Sequence, residues 1–141
     1  MLAYLDSSVV LRVILDEPRK LREFHDVTQG VSSQILKLEC LRSLDRLRQV
    51  ASISEMELAE YRSIFYKIYN KLILIPVSSP ILDLASQPFG FSLKSLDALH
   101  LVSCQFFIQT EKKSIPFFTH DSKLARVVKS VGINVLGIET M

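Results

Sequence analysis

Glycine is scarce in this chain, with four in 141 residues, and none falls in a G-x-G-x-x-G or G-K-[ST] run. Nucleotide binding over a glycine-rich loop is therefore disfavoured, because such loops need glycines to bring the backbone close to phosphates. Cysteine is scarcer still. Cys40 and Cys104 sit apart inside apolar helical patterns, with no C-x-x-C pair and no histidine at zinc spacing, so buried free thiols are expected. No apolar stretch approaches the roughly 18 residues of a membrane span, and Met1 to Asp6 lacks the basic flank and long apolar region of a signal peptide. The expectation is a soluble, cytoplasmic protein with no membrane partner. The net charge of +2 neither requires nor excludes a nucleic-acid partner. Linkers, internal repeats and low-complexity segments are also missing.

What the chain does have is apolar surface. Hydrophobic residues make up 48% of it and mean hydropathy is +0.25, high for so short a chain, so a share of that surface is expected to meet another subunit, as in a homodimer. One domain over residues 1–141 is expected, long enough to bury roughly two-thirds of its unfolded surface.

The hydrophobic pattern alternates between strand and helix. Leu2 to Leu5 reads as a buried strand, followed by a helix from Ser7 or Ser8 that stops near Pro18. A short apolar and polar stretch, Val27 to Ser32, precedes a helix from about Ser33 to Val50. Ser54 and Glu57 form a capping box for a helix to about Lys71, and Leu72 to Ile75 reads as a strand stopped by Pro76. Pro80 suits the first position of a short helix after Ser79. A helix from Ser92 or Ser95 to about Thr110, a strand from Ile115 to Thr119, a helix from Ser122 to Val131 and a strand from Ile133 to Ile138 complete the chain. Strands separated by helices predict an α/β fold: a three-layer α/β/α sandwich around a mostly parallel sheet of about five strands. Ligands of such sheets collect at the carboxyl ends of the strands, where strand order reverses.

Four acids stand where carboxylates have little structural business: Asp6 after the run LAYL, Glu39 and Asp97 within helix-like stretches, and Asp121 after IPFFT. Each has a modest alternative. Asp6 and Asp121 could cap helices, for about 1 kcal/mol each. Glu39 could form a surface pair with Arg42, for under about 1 kcal/mol. Asp97, with Leu101 and Cys104 at helical spacing, is the hardest to assign to solvent. Neither alternative explains the combination, since two strand-end acids and two inward helix acids can converge on one crevice. Clustered carboxylates repel one another unless protons or divalent cations compensate, and hard oxygen donors without a Cys or His set favour Mg²⁺ or Mn²⁺.

The runs YLDSSVVLRVILDEP, SSQILKLECLRSL, SLDALHLVSC and FFTHDSKLARVVKSVGINV resemble, in order and spacing, the four successive motifs of PIN-domain ribonucleases. Within that family the resemblance is greatest to the small VapC-type toxins, which a co-encoded antitoxin inhibits. The resemblance implies a PIN-like fold and an acidic metal site of Asp6, Glu39, Asp97 and Asp121, with Ser8 and Thr119 as supporting hydroxyls. It further implies hydrolysis of RNA by a water activated on Mg²⁺ or Mn²⁺, leaving a 5′-phosphate and a 3′-hydroxyl. A silent PIN-like binding module, or a stand-alone RNA-processing nuclease, are the competing readings. A haloacid-dehalogenase-type phosphatase would want a second Asp where Ser8 stands.

Cations near the acids include Arg12, Lys37, Arg42, Arg46, Lys94, Lys123 and Arg126. Arg12, Arg42 and Arg46 are candidates for RNA or antitoxin contact, against the plainer reading of solvated surface. His100 and His120 adjoin the acids but read first as satisfied structural histidines. Tyr61, Phe65, Tyr66 and Tyr69 recur at helical spacing, as core or as a groove for a partner helix.

Overall fold

The computed structural model describes residues 1–138, so the end of the expected 1–141 domain lies outside the described residues. Its strands are β1 (Leu2–Leu5), β2 (Gln29–Ser33), β3 (Ile73–Ile75), β4 (Phe117–Phe118) and β5 (Val135–Leu136). Its α-helices are α1 (Ser7–Ile14), α2 (Leu36–Gln49), α3 (Glu55–Tyr69), α4 (Ser79–Ala85), α5 (Ser95–Glu111) and α6 (Ser122–Ser130). The elements follow the sequence pattern closely: β1 spans its expected run, and β3, β4 and β5 are shorter than theirs. The capping box forms as the sequence specifies, Ser54 Oγ accepting from the Glu57 N–H and Glu57 accepting from the Ser54 N–H. Pro80 falls one place later than expected: Ser78 is the cap residue and Ser79 the first helical residue of α4.

All strand pairs are parallel, in the order β3-β2-β1-β4-β5. The chain builds outward from β1 to β2 and β3, then returns to place β4 on the other side of β1. The β1/β4 junction is thus the point where strand order reverses.

Strand alternation sends neighbouring side chains to opposite faces. Ala3, Leu5 and Phe118 pack with Val9, Val10 and Ile14 of α1, Leu36, Cys40 and Leu44 of α2, and Phe65 of α3. Tyr4, Val31, Ile75 and Phe117 pack instead with Ile81 of α4, Leu101 and Cys104 of α5, and Leu124 and Val127 of α6. Helices α1 to α3 therefore cover one face and α4 to α6 the other, giving the expected three layers. Gly30 in β2 leaves no room for a side chain, since a Cβ there would stand 2.6 Å from Leu72 Cδ2 and 2.9 Å from Leu5 Cδ1. Cys40 and Cys104 are buried free thiols, as expected. Among the described residues, no helix is long and apolar enough to cross a membrane.

Candidate active site

Asp6 directly follows β1 and occupies the cap position of α1, yet its side chain makes no cap hydrogen bond. Its Oδ2 accepts instead from Ser8 Oγ at 2.8 Å and from Thr119 Oγ1 at 2.7 Å. Thr119 follows β4, so the two hydroxyls tie the carboxylate across the strand-order reversal. The hydroxyls are themselves held: Ser8 Oγ accepts from the His120 N–H at 2.9 Å, and Thr119 Oγ1 from the Asp121 N–H at 3.0 Å. Asp6 is buried, 4% exposed, and these two donors satisfy a carboxyl group that would otherwise be costly to bury. Gly137 closes the wall behind Thr119. Its φ of +113° and the 2.3 Å that would separate a Cβ from the Thr119 carbonyl oxygen both require glycine.

Asp121 does cap α6. Its Oδ1 accepts from the N–H groups of Lys123 at 2.9 Å and Leu124 at 3.1 Å. Both bonds land on one oxygen, so capping and service in an acidic cluster are compatible.

Glu39, in the first turn of α2, does not pair with Arg42, whose guanidinium reaches Asp45 at 3.3 Å. The Glu39 carboxylate turns inward instead: Oε1 lies 2.5 Å from His100 Nε2, and Oε2 accepts from Ser7 Oγ at 3.4 Å. The reason is burial. Glu39 borders the α2 stripe of Leu36, Cys40 and Leu44 that packs on the sheet, whereas Arg42 is exposed.

Asp97, in the first turn of α5, differs from the other three acids. Among the described residues no group donates a hydrogen bond to its carboxylate. Burial, then the charges of Asp6 and Asp121, push its pKa up to about 6, against a lowering contribution from His100. Glu39 also contributes to the rise, so Asp97 feels the charge of all three other acids, although among the described residues the group with ligand atoms within 4.8 Å of one another is Asp6, Glu39 and His100, without Asp97 or Asp121.

His100 is the residue that sequence reasoning undervalued. It is fully buried, one helical turn after Asp97, and its Nε2 is 3.7 Å from Asp6 Oδ1 as well as close to Glu39. Its Nδ1 lies 2.7 Å from the Tyr4 hydroxyl. Burial alone would lower its pKa, but the hydrogen bond to Glu39 and the charges of Asp6, Glu39 and Asp97 together raise it. Asp6, Glu39 and His100 bring one polar atom each to within 4.8 Å of one another, so the cluster is not made of oxygen groups alone. The spacing Asp97 to His100 was the available signal. His120, by contrast, spends its Nδ1 on the Gly137 carbonyl at 2.7 Å.

The basic residues are placed less tellingly. Arg12 reaches Glu17 at 3.7 Å and the Arg19 carbonyl at 3.4 Å, and Arg46 is exposed. On α3, Phe65 is core, and Tyr66 and Tyr69 pack on its ring with centroids 5.4 and 5.2 Å away. Of the stripe, only Phe65 is buried, and Tyr61, Tyr66 and Tyr69 are partly buried against the same core cluster.

A parallel sheet of this order, with an acidic pocket at the carboxyl ends of β1 and β4, defines the class of protein. The chain belongs to the PIN-domain family, whose model matches residues 3–130. Among curated proteins it is similar to Ribonuclease VapC47 of Mycobacterium tuberculosis (strain CDC 1551 / Oshkosh), 26% identical over 136 residues, covering 92% of this chain and 91% of that protein. It is also similar to Ribonuclease VapC46 of Mycobacterium tuberculosis (strain ATCC 25618 / H37Rv), 29% identical over 140 residues, covering 94% and 95%. Among solved structures, VapBC2 from Rickettsia felis, crystallised bound to a DNA fragment from its promoter, matches the fold. The TM-score is 0.65 over 96% of this chain and 98% of that one, at 13% identity.

Proposed function

We propose that this PIN-domain protein is a divalent-cation-dependent endoribonuclease, with Asp6, Glu39, Asp97 and Asp121 as its catalytic acids and cation ligands. The observation that carries this reading is Asp97, a half-buried carboxylate with no hydrogen-bond donor whose pKa is driven up to about 6 by burial and by neighbouring acids. Crowded carboxylates of this kind call for a compensating cation, and a set dominated by carboxylate oxygens fits Mg²⁺ or Mn²⁺. Such an ion supplies positive charge against the phosphodiester and makes water acidic enough to attack at neutral pH.

The chain's own contribution is positional. Ser8 and Thr119 hold Asp6, the first turn of α6 holds Asp121, and His100 with Ser7 holds Glu39. Groups fixed in advance need little reorganisation when charge develops in the transition state. Arg12, Arg42 and Arg46 are assigned to backbone phosphates of RNA or to an antitoxin, contacts that position without reading sequence.

Similarity to two VapC ribonucleases supports RNA as substrate and a toxin's role, and the likeness to VapBC2 supports an antitoxin protein as partner. A homodimer acting in the cytoplasm completes the reading, supported by the 48% apolar content and by two buried free thiols. The deciding experiment is cleavage of structured RNAs with Mg²⁺, Mn²⁺ or chelator, comparing the chain with Asp97→Asn. Cleavage that ignores both the metal and the mutation would overturn the proposal, and no cleavage under any condition would favour a silent binding module.

A further inference from the structure

The acids are not held alike. Asp6 is oriented by two hydroxyls and Asp121 by two backbone N–H groups, whereas Glu39 Oε1 depends on a ring from the far side of the sheet. We infer that Tyr4 and His100 are positioning residues for Glu39, aiming its carboxylate into the acidic pocket through a chain of Tyr4 hydroxyl, His100 Nδ1, His100 Nε2 and Glu39 Oε1. The inference rests on the reading of Glu39 as a cation ligand.

The geometry supports each link. Nε2 and Oε1 are 2.5 Å apart, and with Glu39 acting as an ionised cation ligand its carboxylate only accepts, so the hydrogen between them is the one on His100 Nε2. That fixes Nε2 as a donor rather than a lone pair facing a cation. On the other side of the ring, the Tyr4 hydroxyl lies 2.7 Å from Nδ1. A neutral ring accepts there from the Tyr4 O–H, and a protonated ring donates its Nδ1–H to the phenol oxygen. In both states Nε2–H remains on Glu39, so the chain works whatever the charge of the imidazole.

Tyr4 is an unusually firm anchor for such a chain. It is fully buried in β1, two residues before Asp6, and stacks on Phe117 with ring centroids 4.9 Å apart and planes 17° apart. The His100 ring meets it edge-on at 5.7 Å between centroids. The end of β1 therefore sets Asp6 at the site and, through Tyr4 and His100, orients a second acid that belongs to α2. A partner that holds a ligand's orientation typically matters 10–100-fold, roughly, in metal affinity.

Two amide substitutions separate the two ring nitrogens. His100→Gln places an N–H near the Nε2 position and can still donate to Glu39, while His100→Asn reaches only the Nδ1 position. Mn²⁺ alone, titrated into the full chain and followed by loss of the free-ion electron paramagnetic resonance signal, reads affinity without any RNA. Expected are a fall in Mn²⁺ affinity of roughly 10–100-fold for His100→Asn, a smaller fall for His100→Gln, and a fall of several-fold for Tyr4→Phe. Tyr4→Phe keeps the aromatic volume and its stacking, so it retains the test should the His100 variants fail to fold. Pulsed resonance on bound Mn²⁺ should show no coupling to an imidazole ¹⁴N. Wild-type affinity in folded His100→Asn or in Tyr4→Phe would overturn the inference, and so would a ¹⁴N coupling that marks His100 as a direct ligand. If the unmodified chain takes up no Mn²⁺, or Asp6→Asn holds it as tightly, the metal reading itself fails and this inference with it.

Discussion

Glu39 and His100 meet at 2.5 Å although they lie on α2 and α5, helices that cover opposite faces of the sheet. Their contact passes over the carboxyl ends of the strands, beside Asp6, where His100 Nε2 is also 3.7 Å from Oδ1. The acidic pocket is therefore spanned by a polar link between the two helical layers. That arrangement makes the acids separable by mutation, because each is held by different partners.

Asp6→Asn and Asp97→Asn should each reduce RNA cleavage by at least about 10²–10³-fold, the scale of losing a preorganised electrostatic group. Circular dichroism should stay native in both. For Asp97→Asn the melting temperature in chelator should hold or rise, since the substitution removes a charge repelled by Asp6 and Asp121. Undiminished cleavage by either folded variant would remove that acid from the mechanism.

In the metal-free protein the same carboxyl gives a pH signature with a definite sign. Folded Asp97 keeps its proton up to about pH 6, but in the unfolded chain it loses it near 3.8. Between those values the folded state holds more protons, so this group's contribution to stability falls as pH rises and is gone above the folded value. Thermal melts in chelator should show wild type losing ground to Asp97→Asn across that window. Adding Mn²⁺ at neutral pH should close the gap from the wild-type side.

Thr119→Val keeps the side-chain shape but removes the donor to Asp6 and the acceptor for the Asp121 N–H. Thr119 is fully buried, so unpaired groups there stay dry. Urea unfolding should report a loss of about 1–3 kcal/mol, the cost of a buried polar group left unsatisfied. A loss no larger than that of an exposed Thr→Val change would mean that Asp6 is held by Ser8 alone.

Cys40 and Cys104 should be silent toward thiol reagents in the native protein and both reactive in denaturant. Burial pushes the Cys104 thiol up to about 12, and Cys40 is raised further by burial and by the nearby Glu39 and Asp6 charges. Without thiolate or access, neither is a nucleophile. Colorimetric titration of native protein that detects a thiol within minutes would contradict this packing.

Much of the architecture was legible because it is written in local chemistry. The Ser54 to Glu57 spacing specified a cap that forms, and alternating apolar runs specified buried parallel strands between helices. The later strands are shorter than their apolar runs: Ile115 to Thr119 contracts to Phe117–Phe118, since hydrophobicity extends beyond the residues that find a pairing partner. For the acids, the sequence supplied positions but not roles. Asp6 and Asp121 both read as caps, and only Asp121 became one, because Thr119 and Ser8 offered Asp6 stronger donors than the open turn of α1. Glu39 had Arg42 three residues away, but Arg42 is drawn to Asp45 on the exposed side.

By itself, then, the sequence determined the alternation of elements, the burial of both thiols and the placing of two acids at strand ends, all consequences of periodicity and of what neighbouring residues can do for one another. Tertiary structure alone decided which side chain answers each acid. Tyr4, Glu39 and His100 are separated by 35 and 61 residues, and no local pattern encodes their contact. It exists because the strand order reverses at β1, which brings the first turns of helices from both layers to one end of the sheet.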